Sequence, residues 1–120
     1  MKKIEIAPST KTGSHHWIMQ KVTSVALIPL VIWLLYSIVM IVQDVDANLA
    51  VFFAYPFNAI LSIILIAVSL YHGALGMTVV FEDYIANKAK RLIAVYFVNF
   101  LSILTGVAAI FAIIRLHLIG

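Results

Sequence analysis

Three long stretches of this chain carry no charge. No Asp, Glu, Lys or Arg occurs between Lys21 and Asp44, between Asp46 and Glu82, or between Arg91 and Arg115. Each stretch exceeds the roughly 20 residues that cross a hydrocarbon core about 30 Å thick. The chain is 64% hydrophobic, well above the roughly 45–50% of a soluble domain. The pattern predicts an all-α membrane protein with three transmembrane helices, at about 22–42, 58–81 and 92–115, preceded by an inner-face segment at 1–21. Three spans and their connections use all 120 residues, so the chain reads as one anchor domain with nothing left for a soluble one.

The middle stretch is too long for one simple span. Its first part, ANLAVFFAYPFN (47–58), contains Pro56 and two asparagines. Proline interrupts a helix interior, so this part is expected to be interfacial, as a short amphipathic helix ahead of the second span. Tyr55 there and Trp17 near the first span have the amphipathic rings that favour the headgroup level. The first apolar stretch reads as a retained span rather than a signal peptide. It is long for an h-region, begins far from Met1 and lacks a small-x-small cleavage site after it. The chain has no cysteine, which excludes disulfides and thiolate-held metal or Fe–S centres of its own.

Seven of the eight basic residues fall on one face of this topology. Lys2, Lys3, Lys11 and Lys21 precede the first span, Lys88, Lys90 and Arg91 follow the second, and only Arg115 lies opposite. Basic residues mark the inner side, so the N-terminus is expected inside and the C-terminus outside. The net charge of +3 is accounted for by topology and calls for no nucleic-acid partner.

His72 stands inside the second span. An ionisable group there is costly and by default marks function, although a neutral imidazole also serves as glue between helices. Ser69, Gly73 and Gly76 surround it at helical spacing, leaving a shallow groove. Such a groove suits close helix packing, and equally suits a flat macrocycle whose iron is held by imidazole. Asp83 lies eleven residues on, about 16 Å along a helix and nearly back on the same face. His72 is thus expected near mid-membrane, below Asp83 and Tyr84 at the inner surface. One histidine provides one axial ligand, so a six-coordinate haem would need a second from another chain.

Two motifs, HHWIMQKVTSVAL (15–27) and YHGALGMTVVFEDY (71–84), resemble the hydrophobic membrane anchor of succinate dehydrogenase, the D type of its two small anchors. Order, spacing and three-span length agree across nearly the whole chain. The resemblance implies a complex with a flavoprotein subunit holding FAD, an iron–sulfur subunit holding Fe–S clusters, and a companion three-helix anchor of the C type. It implies that His72 is an axial ligand of a haem b shared with that companion anchor. It also implies that Tyr84 donates to a ubiquinone carbonyl with Asp83 beside it, and that His15 and Lys21 approach the haem propionates. Lys21 stands where the family commonly has arginine, so any propionate pairing lacks the bidentate fork. His16, Trp17 and Gln20 are within reach of the same region. His117 is expected to be a solvated helix-end residue. Pro29 is expected to kink the first helix, and Asn99, Ser102, Thr105 and Gly106 to form the packing face of the third.

The chain has no flavin-binding fingerprint and no Fe–S cysteines, so it does not oxidise succinate on its own. The expected location is a bacterial inner membrane, or a mitochondrial inner membrane if the gene is organellar. Two other readings stand beside this one. The first is a non-redox helical scaffold or transporter subunit with His72 as packing glue. The second is the anchor of a quinol:fumarate reductase.

Overall fold

A computed structural model describes the backbone of residues 3–119 and the side chains of residues 15–119. Four helices follow one another: α1 (Lys3–Val42), α2 (Val45–Ala54), α3 (Pro56–Tyr84) and α4 (Lys88–Ile119). Three segments are long and apolar enough to cross a membrane: His15–Val42, Pro56–Tyr84 and Lys88–Ile119. The three expected spans are therefore present, each longer than the charge gaps implied. The helix starts at Lys3, so Lys21, expected just ahead of the first span, continues the same unbroken helix.

Local chemistry sets the helix ends. Asp44 caps α2, its carboxylate accepting from the Ala47 N–H at 3.2 Å. Pro56 opens α3, where its missing N–H is not needed. Proline thus separates two helices, as its position in 47–58 implied. Asn87 opens α4, accepting from Lys90 N–H through Oδ1 at 3.0 Å and from Arg91 N–H through its carbonyl at 2.9 Å. The connection between α3 and α4 is tied further by Arg91 Nη1 donating to Ile85 O at 3.2 Å. Pro29 does not break α1, which stays helical on both sides of it.

The short helix α2 departs from expectation in character. After Asn48 it is apolar throughout, Leu49–Ala54, so it has no polar stripe and is not amphipathic. It packs against α1, α3 and α4, with Phe52 5.7 Å from Trp33 between ring centroids. The last carbonyls of any helix lack partners within it, and here two side chains supply them. Asn58 Nδ2 donates to Phe52 O at 3.0 Å. His117 Nδ1 lies 2.9 Å from Phe53 O, and because a carbonyl only accepts, the imidazole N–H is the donor. His117 is therefore half-buried and engaged rather than solvated.

Helix α3 is central. It packs against α1 on one side and α4 on the other, and α1 and α4 do not meet among the described residues. The α3–α4 seam is close at Gly106, where an added Cβ would come within 3.1 Å of Leu70 Cδ1. Asn99, Ser102 and Gly106 line a groove of about 500 Å³ along this seam, with Tyr71 and Leu70 opposite. These three line the seam as expected, whereas Thr105 does not, because it is turned about 100° from Gly106. The buried apolar core is small: Leu30, Ala59, Leu65, Leu75 and Ile113. Most large apolar side chains face outward, as lipid or partner helices require.

Candidate membrane-embedded site at His72

The α1–α3 seam is organised around one polar contact. Thr23 Oγ1 lies 2.8 Å from His72 Nδ1. Thr23 is only 6% exposed, and its hydroxyl also lies 2.7 Å from Met19 O and 3.2 Å from Gln20 O. One turn along, Gln20 Nε2 approaches Gly76, where an added Cβ would lie 3.4 Å away. Gln20 Oε1 is buried and has no hydrogen-bond partner among the described residues.

These contacts, 23 with 72 and 20 with 76, fix an antiparallel register. Residues 15–22 of α1 run beside residues 73–82 of α3. Lys21 therefore stands on the level of Ala74 and Leu75, well within the apolar part of α3. It is two residues from Thr23, about 200° round the helix, so it points away from α3. Its Nζ sits 5.0 Å from the centroid of the Trp17 ring, a cation–π arrangement.

The groove expected around His72 is half filled. The Gly76 side is taken by Gln20. On the other side Gly73 has nothing within 4 Å of a Cβ position and Ser69 is exposed. His72 is half-buried, and among the described residues no group hydrogen-bonds its Nε2. No set of three or more His, Asp or Glu that could hold a metal ion occurs among the described residues. What the arrangement offers is a single imidazole beside open space, with one nitrogen tied and one free. That donor set suits one axial position on a haem iron, whose remaining axial ligand would come from elsewhere.

The other expected site residues separate into two places. Asp83 and Tyr84 end α3; both are exposed, Tyr84 by 84%. Since α3 is unbroken from His72 to Tyr84, Asp83 stands about 16 Å from His72 along the axis and near the same face. His15 is not brought to His72. With His16, its ring centroid 6.2 Å away, it lines a cavity of about 430 Å³ that also includes Thr78, Glu82 and Asn99. Glu82 and Asp83, adjacent in sequence, thus serve different sides of α3. Thr23 is the partner of His72 that sequence reasoning passed over. Its signal was a hydroxyl within an apolar run, but pairing it with His72 required the register between α1 and α3.

A family model described as succinate dehydrogenase/fumarate reductase transmembrane subunit matches residues 7–117. The chain is 40% identical over 112 residues to the succinate dehydrogenase hydrophobic membrane anchor subunit of Rickettsia typhi, covering 92% of this chain and 89% of that one. It is 41% identical over 106 residues to the protein of the same name from Rickettsia bellii, covering 88% and 84%. With the succinate dehydrogenase membrane anchor subunit of Reclinomonas americana the identity is 28% over 97 residues, covering 78% and 81%. No solved structure gives a significant match. Three apolar helices, their spacing and these similarities together mean that the chain belongs to the succinate dehydrogenase/fumarate reductase transmembrane subunit family, among its hydrophobic membrane anchors.

Proposed function

We propose that this anchor holds one side of a haem b through His72 and forms part of a quinone-reduction site through Tyr84 and Asp83, within a succinate:ubiquinone oxidoreductase. The observation that carries the reading is His72 itself: an imidazole within a membrane span, with Nε2 unpartnered and open space at Gly73 beside it. Its solitude implies a second ligand from the companion anchor. The flavoprotein and iron–sulfur subunits would dock at the end of the bundle bearing Tyr84.

Haem b, when bound, supplies a one-electron carrier within the membrane. The chain's own residues hold and orient it. His72 would hold the iron through Nε2. Lys21, level with Ala74 and Leu75 of α3, would pair with an anionic partner such as a propionate. It carries more of that pairing than His15, whose cavity also includes the Glu82 carboxylate. At the end of α3, a quinone taking up electrons develops negative charge on its oxygens. The Tyr84 hydroxyl donates to such an oxygen, and Asp83 positions or passes the protons that follow. Lys88, Lys90 and Arg91 share this end of the bundle with His15 and Tyr84, which by the positive-inside rule makes it the cytoplasmic side of a bacterial inner membrane, or the matrix side of a mitochondrial one.

The test compares two assays on the intact complex carrying Tyr84→Phe. Succinate-driven quinone reduction should fall about 10- to 100-fold, while succinate oxidation with a soluble dye stays near wild type. Equal losses in both assays would mean that Tyr84 supports assembly instead.

A further inference from the structure

Thr23 has one hydroxyl proton and three neighbours that contend for it. Two are backbone carbonyls, Met19 O at 2.7 Å and Gln20 O at 3.2 Å, and the third is His72 Nδ1 at 2.8 Å. A carbonyl oxygen cannot donate. An O···O approach of 2.7 Å is favourable only with a proton between the atoms, and threonine in a helix commonly returns its proton to the i−4 carbonyl. The Thr23 proton is thus committed to its own helix. The imidazole must then be the donor at Nδ1, and the neutral ring carries its lone pair on Nε2.

We propose that Thr23 is the positioning residue for His72: it fixes the Nδ1–H tautomer and the ring plane, so that Nε2 is presented to iron before any haem arrives. This rests on the reading of His72 as an axial ligand. Three features support it. Thr23 is buried, so water does not compete for the contact. Its rotamer is held by the bond to Met19 O, so the acceptor lone pair is stationary. Both partners lie on long helices rather than loops. A ligating histidine whose other N–H is held by an acceptor is oriented and made more basic. Greater basicity favours ferric over ferrous iron. Thr23 therefore acts on ring orientation and on redox potential, without touching the haem.

The experiment uses the intact complex with Thr23→Val, Thr23→Ser and His72→Ala, each normalised to copurified flavin. Thr23→Val, which keeps the shape and removes the acceptor, should lower haem occupancy under limiting haem about tenfold. In the haem that remains, the potential should become more positive and the low-spin ferric resonance signal should broaden as the ring plane is released. Thr23→Ser should restore all three. His72→Ala tests the underlying reading separately: unchanged haem there removes His72 as ligand. Loss of haem in His72→Ala together with wild-type occupancy, potential and resonance in Thr23→Val would overturn the role of Thr23 alone. A variant-free measurement covers the case in which Thr23→Val fails to assemble. In the reduced wild-type complex labelled at His and Thr, where a low-spin ferrous haem is itself diamagnetic, the His72 Nδ1 proton should exchange slowly and show a through-space contact to the Thr23 side chain. Fast exchange without that contact would overturn the assignment.

Discussion

Helix α3 has two seams, and they are built differently. Towards α1 the contact is polar and specific: Thr23 meets His72, and Gln20 lies over Gly76. Towards α4 it is a matter of fit: Gly106 admits Leu70, while Asn99 and Ser102 line a groove without forming a hydrogen bond across it among the described residues. Leu70 and His72 are two residues apart, yet one serves packing and the other holds a nitrogen free. Polar atoms in lipid are expensive unless paired. This seam nevertheless concentrates them, and among the described residues Gln20 Oε1 and His72 Nε2 have no hydrogen-bond partner, which is what the proposed haem site would account for. The α3–α4 seam needs no such explanation.

The contrast breaks or sharpens through single substitutions. His72→Ala should have the largest effect: haem content should fall by about tenfold or more, since losing a ligand costs at least as much as losing its supporting bond. The three helices should still insert, because the apolar spans are untouched. Pigment assayed against copurified flavin gives the result. On the other seam, Gly106→Val should press on Leu70 and cost about 1–3 kcal/mol by overpacking. Thermal unfolding of the detergent-solubilised complex should register this with the haem spectrum unchanged. A spectral change there instead would mean that the two seams are coupled. His117→Ala should be the smallest lesion. It leaves the Phe53 carbonyl without its donor at the far end, for about 1 kcal/mol, visible in thermal unfolding and absent from quinone kinetics.

The charge gaps made three spans legible because the membrane itself excludes charge along a fixed length. Pro56 likewise announced where α2 ends and α3 begins. Depth was less legible. Lys21 reads as a boundary marker in one dimension, and only the pairing of 20 with 76 and 23 with 72 sets it level with Ala74 and Leu75 of α3. His72 drew attention as an ionisable group in an apolar run, yet its partner lies 49 residues away and no local pattern links them. His117 misled for a similar reason. Helix ends usually meet water, but here the exposed carbonyls of α2 were waiting at that level. Contacts across helices depend on register, and a charge count does not contain register.

The most direct measurement is the dithionite-reduced minus oxidised visible spectrum of the native complex, purified gently in detergent through a tag on this chain. A b-type α-band alongside bleaching of flavin and Fe–S absorption is the expected result, and it would establish the haem for which His72 is the proposed ligand. Flavin and Fe–S signals with no haem band, from a demonstrably intact preparation, would contradict it and leave His72 as a packing residue on a haem-free anchor.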